Sequence, residues 1–362
     1  MDIFSSIVPA SKQHPNFTSI FQERNRFALD VLTDWARGFS DRDGKFVKQF
    51  QTTFDSSFWE LYIFSVLKHF RCTVDFKYSS PDFVVNGPTA FCLEATVAVN
   101  DTRTKPPHQT VVGDIPSDLN TFNTEAIIRL SNSFTSKHKK FKDFYAHLSH
   151  VSDKPFVLAI AAFDRPCFNM QCQRAIEALL YGYYVDEEAY IAGQDFSAPP
   201  IGNPIQEVIK YNGAIIETGL FYKEEYSDIS CVFFNPCATW GKALALSHDP
   251  NSHSVFTSLK LNMNGGITPH VVRETKQRYS EHLIDGLRIY HNPRAHHALP
   301  RELFRDKRVF QLYWDSQMGY WVYEQHDGQL LFRRVETILS TAEANIGRVA
   351  PLELTTPARS RQ

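Results

Sequence analysis

Three acidic residues lie on three predicted neighbouring elements between residues 58 and 96. Glu60 falls in FWELYIFSVLKHF, Asp82 opens PDFVVN, and Glu94 falls in AFCLEATVAV. A carboxylate in an apolar segment costs free energy unless it has a partner. A divalent cation is one such partner, since it binds several oxygen ligands at once. These residue types and their placement predict a site for a divalent metal ion.

The elements that carry these residues are predicted from hydrophobic periodicity. The segment around Glu60 predicts an amphipathic helix, whereas TVDFKY, PDFVVN and AFCLEATVAV predict three strands. AFCLEATVAV is mostly apolar on both faces, which is typical of a central strand covered on both sides. Its period of two places Glu94 and Thr96 on the same face, where Asp82 at the start of the neighbouring strand can meet them.

Glu60 has two interpretations on sequence alone. Ser57 and Glu60 fit the S-x-x-E capping box, in which the glutamate only returns a hydrogen bond to the start of its own helix. If Asp55 caps the helix instead, Glu60 lies a turn further in and is free to point at a site. Both interpretations stay open.

A long polar loop, residues 100–123, leads to the predicted helix TEAIIRLSNSFTSKHKKFKDFYAHL and then to the apolar strand PFVLAIAAFD. One side of this helix is apolar, and the other carries the densest basic run of the chain, namely Arg129, Lys137, Lys139, Lys140 and Lys142. Such a run is usually a solvated helix face, and the alternative is contact with a nucleic-acid backbone. The order helix, three strands, helix, strand implies an α/β sheet with a crossover helix.

This order of elements and residues resembles the PD-(D/E)XK nuclease superfamily over residues 57–164. That fold has a helix bearing a glutamate, strands bearing PD and (D/E)-x-K, and then a helix and a further strand. Here Pro81-Asp82 is followed by Glu94 twelve positions after the aspartate, and Glu60 lies on the preceding helix. The resemblance implies an α/β fold with a mixed central sheet flanked by helices, which is a restriction-endonuclease-like core.

The resemblance also implies a function. Such an enzyme is an endonuclease that uses Mg²⁺ or Mn²⁺ to hydrolyse phosphodiester bonds, in DNA by preference with RNA left open. Its usual context is genome defence, such as defence against phage, or a mobile element. The implied metal ligands are the carboxylates of Asp82 and Glu94 and a backbone carbonyl at Ala95, with Glu60 completing the shell or orienting a water. Mg²⁺ prefers one or two carboxylates together with waters and substrate oxygens.

One residue departs from the pattern of the superfamily. The lysine two positions after the glutamate, which helps to hold and deprotonate the attacking water, is replaced by Thr96 in this chain. Some members supply the lysine from another element, and the candidates here are Lys137 on the following helix and Lys77 on the first strand. We expect Lys137, which shares an i, i+4 row with Arg129. The residues expected to bind the substrate backbone are Arg129, Lys139, Lys140 and Lys77.

Two rival hypotheses stay open beside this one. If no lysine reaches the site, the chain is a degenerate nuclease fold that binds nucleic acid or a partner protein. In an unrelated α/β protein, Asp82 and Glu94 would only pair with Arg129 or Lys77. The positions of the lysine amines relative to the two carboxylates distinguish these hypotheses.

Composition predicts an ordinary soluble globular protein. Of its 362 residues, 43% are hydrophobic and 22% are charged, and the length predicts two domains or one domain with large additions. A net charge of −2 argues against a general electrostatic coat for nucleic acid. There is no secretory signal or membrane-spanning run, and the six cysteines lack paired CxxC clusters. We therefore expect a cytoplasmic protein with reduced thiols and no membrane partner, and a homodimer stays open.

Four regions are predicted along the chain: N-terminal helices over residues 1–56, the α/β nuclease-like core over 57–235, a C-terminal α+β region over 236–347 and a disordered tail over 348–362. The α+β region ends in a predicted three-stranded meander, VFQLYWDSQMGYWVYEQHDGQLLFRRVETI, with turns at SQMG and HDGQ. We expect surface positions, and not a metal site, for its histidines His282, His291, His296 and His297.

Overall fold

The computed structural model describes residues 2–98, 105–171, 173–193, 200–264 and 268–337. Within these residues the α-helices are α1 (Pro15–Ser19), α2 (Arg26–Ala36), α3 (Phe46–Thr52), α4 (Phe54–His69), α5 (Leu119–Lys140), α6 (Arg174–Tyr181), α7 (Glu187–Gly193) and α8 (Trp240–Leu246). The strands are β1 (Thr73–Val74), β2 (Phe83–Asn86), β3 (Phe91–Val97), β4 (Phe156–Ala161), β5 (Tyr183–Tyr184), β6 (Asn203–Pro204), β7 (Glu207–Ile209), β8 (Ile215–Glu217), β9 (Cys231–Phe234), β10 (Ser254–Lys260), β11 (His270–Thr275), β12 (Arg288–His291), β13 (Phe310–Asp315), β14 (Tyr320–Glu324) and β15 (Leu330–Thr337).

The largest sheet of the described residues has the strand order β1-β2-β3-β4-β9-β12-β13-β14. β2 is antiparallel to β3, while β3, β4 and β9 run parallel. Beyond them, β12 is antiparallel to β9 and parallel to β13. α5 provides the crossover that parallel neighbours β3 and β4 need. The prediction of an α/β fold with a mixed central sheet is confirmed.

Helices cover both faces of this sheet. α2, α3, α4 and α8 contribute to the hydrophobic core on one face, and α5 and α6 contribute to the core on the other. Neighbouring residues of β3 belong to opposite cores. Leu93 belongs to the core beneath α4, and Cys92 belongs to the core beneath α5. Every residue of β4 is buried, as expected for a strand that is covered on both sides.

The C-terminal strands differ from the prediction. β13 and β14 form an antiparallel pair in the central sheet, but β15 pairs with β10 in a separate sheet of order β11-β10-β15. The predicted three-stranded meander is therefore wrong. Pairing with β10 packs Val335 against Phe256 and places Arg333 beside the buried carboxylate of Glu281, which a third meander strand would not do.

The predicted region boundaries do not separate layers of the fold. Residue 56 lies inside α4, and α2 and α3 pack with α4 in one hydrophobic core. The boundary after residue 235 separates β9 from β12, which are paired in the central sheet. The tail predicted over residues 348–362 lies outside the described residues. Among the residues that are described, no helix combines the length and apolar character that a membrane crossing requires.

Candidate active site

Glu94 lies at the centre of the candidate site. It is on β3 between β2 and β4, and its side chain is 1% exposed. Its Oε1 accepts hydrogen bonds from Lys137 Nζ at 2.7 Å and from Lys140 Nζ at 3.0 Å. Its Oε2 accepts a hydrogen bond from the Tyr145 hydroxyl at 3.2 Å. These three donors come from the end of α5 and from the π-helical turn that follows it, Phe141–Tyr145.

The lysines keep Glu94 ionised in spite of its burial. Desolvation raises the pKa of this carboxyl, but the charges of Lys137 and Lys140 together outweigh that effect, and the net pKa lies below its ordinary value. The pKa of Tyr145 is raised, first by burial and then by the charge of Glu94. Its hydroxyl therefore remains a hydrogen-bond donor at neutral pH, while Glu94 remains an acceptor.

Asp82 lies one residue before β2, close to Glu94. The antiparallel register pairs Phe83 with Leu93, which brings Asp82 to the level of Glu94. Its Oδ2 accepts a hydrogen bond from the Ala95 backbone N–H at 2.8 Å. Although 27% of the Asp82 side chain is exposed, desolvation raises its pKa to about 6, and the charge of Glu94 adds to the increase. The two carboxylates thus repel each other.

Glu60 lies well inside α4, because this helix begins earlier than predicted, with Thr53 as its N-cap residue. The capping box with Ser57 is therefore wrong, and so is Asp55 as the cap, since Asp55 lies in the first turn of the helix. Desolvation raises the pKa of Glu60 to about 8, and the charge of Asp82 is the second cause. Glu60 accordingly holds a proton at pH 7.

Arg42 joins Glu60 to Asp82. Its Nη2 lies 3.8 Å from Glu60 Oε1 and 3.8 Å from Asp82 Oδ1. Its Nη1 donates hydrogen bonds to the carbonyls of Pro81 at 2.8 Å and Tyr78 at 3.2 Å. Arg42 belongs to SDRDG, between α2 and α3, and nothing in that polar break marks it as part of a site. Sequence patterns therefore missed this residue.

Thr96 and Lys77 lie in different surroundings. Thr96 is half-buried on β3, where strand alternation places it on the same side as Glu94. The strand predicted around Lys77 is shorter than expected, because β1 ends at Val74. The Lys77 side chain is mostly exposed and forms an ion pair with Asp75 at 3.0 Å. Lys77 is thus engaged outside the Glu94 cluster.

Arg129 and Lys139 both belong to α5 but have different partners. Arg129 is buried, and its Nη1 donates a hydrogen bond to Asp164 Oδ2 at 2.9 Å. This ion pair connects α5 to the chain after β4, which gives Arg129 a structural role. Lys139 is exposed and pairs with Asp143 at 2.5 Å. The hypothesis that Asp82 and Glu94 pair only with Arg129 or Lys77 is therefore wrong.

The acidic side chains of the site lie beside cations. The carboxylates of Asp82 and Glu94 and the protonated carboxyl of Glu60 lie beside Arg42, Lys137 and Lys140. Within the described ranges, no three His, Cys, Asp or Glu side chains already form a metal-binding group. Mg²⁺ needs only one or two carboxylates besides waters and substrate oxygens, and Asp82 and Glu94 are two carboxylates at the same level of neighbouring strands. Ala95 contributes its N–H to Asp82.

The histidines of the C-terminal region do not converge on one site. His291 is buried, contrary to the expected surface position, and its Nε2 lies 2.8 Å from Gln311 Oε1. His282 packs edge-on against His69, with ring centroids 4.9 Å apart. His296 is exposed. Each therefore has its own local surroundings.

Comparisons with known proteins add no identification. No protein-family model matches the chain. Searches of the curated proteins and of the solved structures gave no significant match either.

Proposed function

We propose that the chain is a metal-dependent endonuclease that hydrolyses phosphodiester bonds in DNA, with its active-site lysine supplied by α5. The observation that carries this proposal is the 2.7 Å hydrogen bond from Lys137 Nζ to Glu94 Oε1. The superfamily that the sequence resembles has a lysine two positions after the glutamate, where this chain has Thr96. Lys137 brings an ammonium group to the same carboxylate from another element.

The order of elements supports the same proposal. α4 bears Glu60, Asp82 precedes β2, and β3 bears Glu94. α5 then leads to β4, which is parallel to β3. This is the order of helix, strands, helix and strand that the resemblance implies. A restriction-endonuclease-like core is therefore part of the proposal.

Each side chain has a task that its environment explains. A bound Mg²⁺ or Mn²⁺ would lower the pKa of a water and offset the charge that develops on the phosphate. Asp82 and Glu94 would hold that ion. Lys137 and Lys140 keep Glu94 ionised and present ammonium groups to a phosphate oxygen. Glu60, which holds a proton at pH 7, can donate a hydrogen bond to a water or a phosphate oxygen.

The proposed setting is the cytoplasm, with a role in genome defence or in a mobile element. The described cysteines are free thiols, at Cys72, Cys92, Cys167, Cys231 and Cys237. Free thiols fit a reducing compartment. The role in genome defence rests on the resemblance alone.

A second candidate function is a nuclease-like module that binds nucleic acid or a partner protein without cleavage. The counter-ions within the site favour it. Arg42 lies beside Glu60 and Asp82, and the lysines of α5 neutralise Glu94. Carboxylates with internal counter-ions are stable without a divalent ion, which an active enzyme must admit beside them.

Cleavage assays on matched variants test both functions. Purified protein is incubated with plasmid, single-stranded DNA and RNA, with Mg²⁺, with Mn²⁺ and with chelator. We expect metal-dependent cleavage that Glu94→Gln and Lys137→Ala each reduce by at least roughly 100-fold. Lys139→Ala is the control, because Lys139 lies on the same helix but is exposed and pairs with Asp143. Its rate should stay within about twofold of wild type.

Each alternative outcome points to a different conclusion. Cleavage that survives both the chelator and Glu94→Gln would place the activity elsewhere in the chain. Equal losses in Lys137→Ala and Lys139→Ala would indicate a general electrostatic effect and contradict the assigned role of Lys137. Nucleic-acid binding without cleavage in either metal would favour the binding module. Melting curves of the variants show whether each of them is folded.

A further inference from the structure

The π-helical turn that follows α5 presents an aromatic ring to solvent beside the carboxylate cluster. Phe144 is 66% exposed, whereas Phe141 and Tyr145 of the same turn are buried. Phe141 packs against Phe156 of β4, with ring centroids 4.4 Å apart. The Tyr145 hydroxyl donates a hydrogen bond to Glu94 Oε2. The turn is thus held from inside by two contacts, and Phe144 points outward as a result.

The position of Phe144 makes its exposure informative. A single exposed apolar residue is common on protein surfaces and by itself indicates nothing. π-Helical turns, in contrast, are rare and occur frequently at functional sites. In this turn the widened helix keeps Tyr145 on Glu94 and leaves the adjacent ring in solvent.

Three exposed lysines lie within five residues of Phe144 in the sequence. Lys139, Lys140 and Lys142 are all exposed, and Asp143 offsets one of their charges through its pair with Lys139. Residues 137–144 still contain four lysines and one aspartate, in a chain whose net charge is −2. Proteins that bind single-stranded nucleic acid combine such local positive charge with aromatic rings on which bases stack.

We infer, on the premise of the proposed function, that Phe144 is a stacking platform for an unpaired base of the nucleic acid bound at the Glu94 site. Single-stranded or locally unpaired nucleic acid is then the preferred substrate class. Away from the ends of a duplex each base is covered by its neighbours, so there a surface ring can stack only on a base that has left the helix. Lys140 and Lys142 bind the phosphates beside that base, whereas Lys139 is paired with Asp143.

Binding measured in chelator, where no metal-dependent cleavage occurs, tests this role. The probes are a labelled oligo-dT and a labelled blunt duplex of equal length. Their affinities for the protein are measured by fluorescence anisotropy at fixed salt. Phe144→Ala should weaken oligo-dT binding by roughly 5- to 100-fold and duplex binding by less than about twofold. Phe144→Trp should retain oligo-dT binding. Tyr320→Ala is the control, since Tyr320 is 50% exposed on β14 at the far edge of the sheet, and it should change neither affinity.

The outcomes separate the platform from the nuclease. No loss in Phe144→Ala, or an equal loss for oligo-dT and duplex, would overturn the stacking role. If metal-dependent cleavage accompanies either of these binding results, the proposed nuclease function still holds. Phe144-dependent binding of oligo-dT without cleavage in either metal would support the platform and overturn the nuclease.

Discussion

Arg42 illustrates, at the scale of a single residue, how one side chain links the parts of the carboxylate cluster. Its guanidinium lies 3.8 Å from both Glu60 and Asp82. It also holds the carbonyls of Tyr78 and Pro81, just before Asp82 in the chain. A guanidinium can make both sets of contacts because its donors form a fixed planar fork, which a lysine lacks. Arg42 therefore orients the loop that carries Asp82.

Arg42→Ala is expected to lower the free energy of unfolding by roughly 2–4 kcal/mol, because it removes charged hydrogen bonds to two carbonyls and the counter-ion beside the Asp82 carboxylate. Arg42→Lys should recover only part of this loss. Arg37→Ala is the control, since the Arg37 side chain is 77% exposed in its pair with Asp34, and a change below about 1 kcal/mol is expected. Urea unfolding at pH 7 measures all three, and equal effects of the two alanine variants would contradict the role of Arg42.

The acidic residues of the site and Lys137 could be predicted from their type and spacing. Acids stand out in apolar elements, and Lys137 stands out on a helix row that follows the central strand. Arg42 could not be predicted, because it enters from a polar break outside the matching pattern. Tyr145 depends on the phase of a π-helical turn, which no hydrophobic period encodes.

At the scale of elements, α4 and α5 show which local signals determine the residue at which a helix begins. α5 begins at Leu119, before the predicted segment TEAIIRL, because Asp118 caps it and accepts a hydrogen bond from Thr121 N–H at 2.9 Å. α4 begins at Phe54 without a side-chain cap. Phe54 is 2% exposed, so its burial outweighs the capping signal at Ser57. Capping motifs are informative only where packing does not override them.

α6 contains a buried acid outside the candidate site. Glu177 is 3% exposed, and its Oε1 is among the buried atoms of the described residues that lack a hydrogen-bond partner. Desolvation raises the pKa of Glu177 to about 7, against the opposing charges of Arg288 and Arg174. The folded state therefore binds this proton more tightly than the unfolded state does. The resulting stability is complete below the ordinary value of 4.5 and is lost as the pH rises through 7.

Glu177→Gln is expected to be more stable than wild type at pH 8, by up to about 3 kcal/mol at 1.36 kcal/mol per pKa unit. The two proteins should be nearly equal well below pH 4.5, where Glu177 is protonated in both the folded and the unfolded wild type. Urea unfolding at several pH values from below 4.5 up to 8 measures the difference. A variant that is less stable than wild type at pH 8 would show that Arg288 and Arg174 compensate the buried charge.

At the scale of the whole molecule, local sequence patterns did not predict which strands pair when they are far apart in the chain. The order of elements over residues 57–164 was sufficient to predict the α/β class. It could not predict that β12, β13 and β14 extend the same sheet, or that β15 pairs with β10. Strand partners that are far apart in sequence are selected by packing, which hydrophobic periodicity does not encode.

A buried ion-pair network connects the second sheet to α8. Glu281 Oε1 lies 2.7 Å from Arg333 Nη1 on β15 and also contacts Lys242 Nζ on α8. Its Oε2 accepts a hydrogen bond from the Tyr279 hydroxyl at 2.7 Å. Burial raises the pKa of Glu281, but the charges of Arg333 and Lys242 outweigh it and the net pKa is lowered. Glu281 is therefore ionised between two buried cations.

Glu281→Gln leaves Lys242 and Arg333 buried without a counter-ion, and we expect it to lower the free energy of unfolding by roughly 3–5 kcal/mol at pH 7. Glu336→Gln is the control, because its partner Arg273 is 53% exposed, and a loss below about 1 kcal/mol is expected. Since the folded pKa of Glu281 lies below 4.5, its contribution is present above that pH and is lost as the pH falls through the folded pKa. Urea unfolding from pH 7 downward should therefore show the difference from wild type shrinking below pH 4.5. A difference that stays constant would indicate that packing, and not charge, holds the second sheet in place.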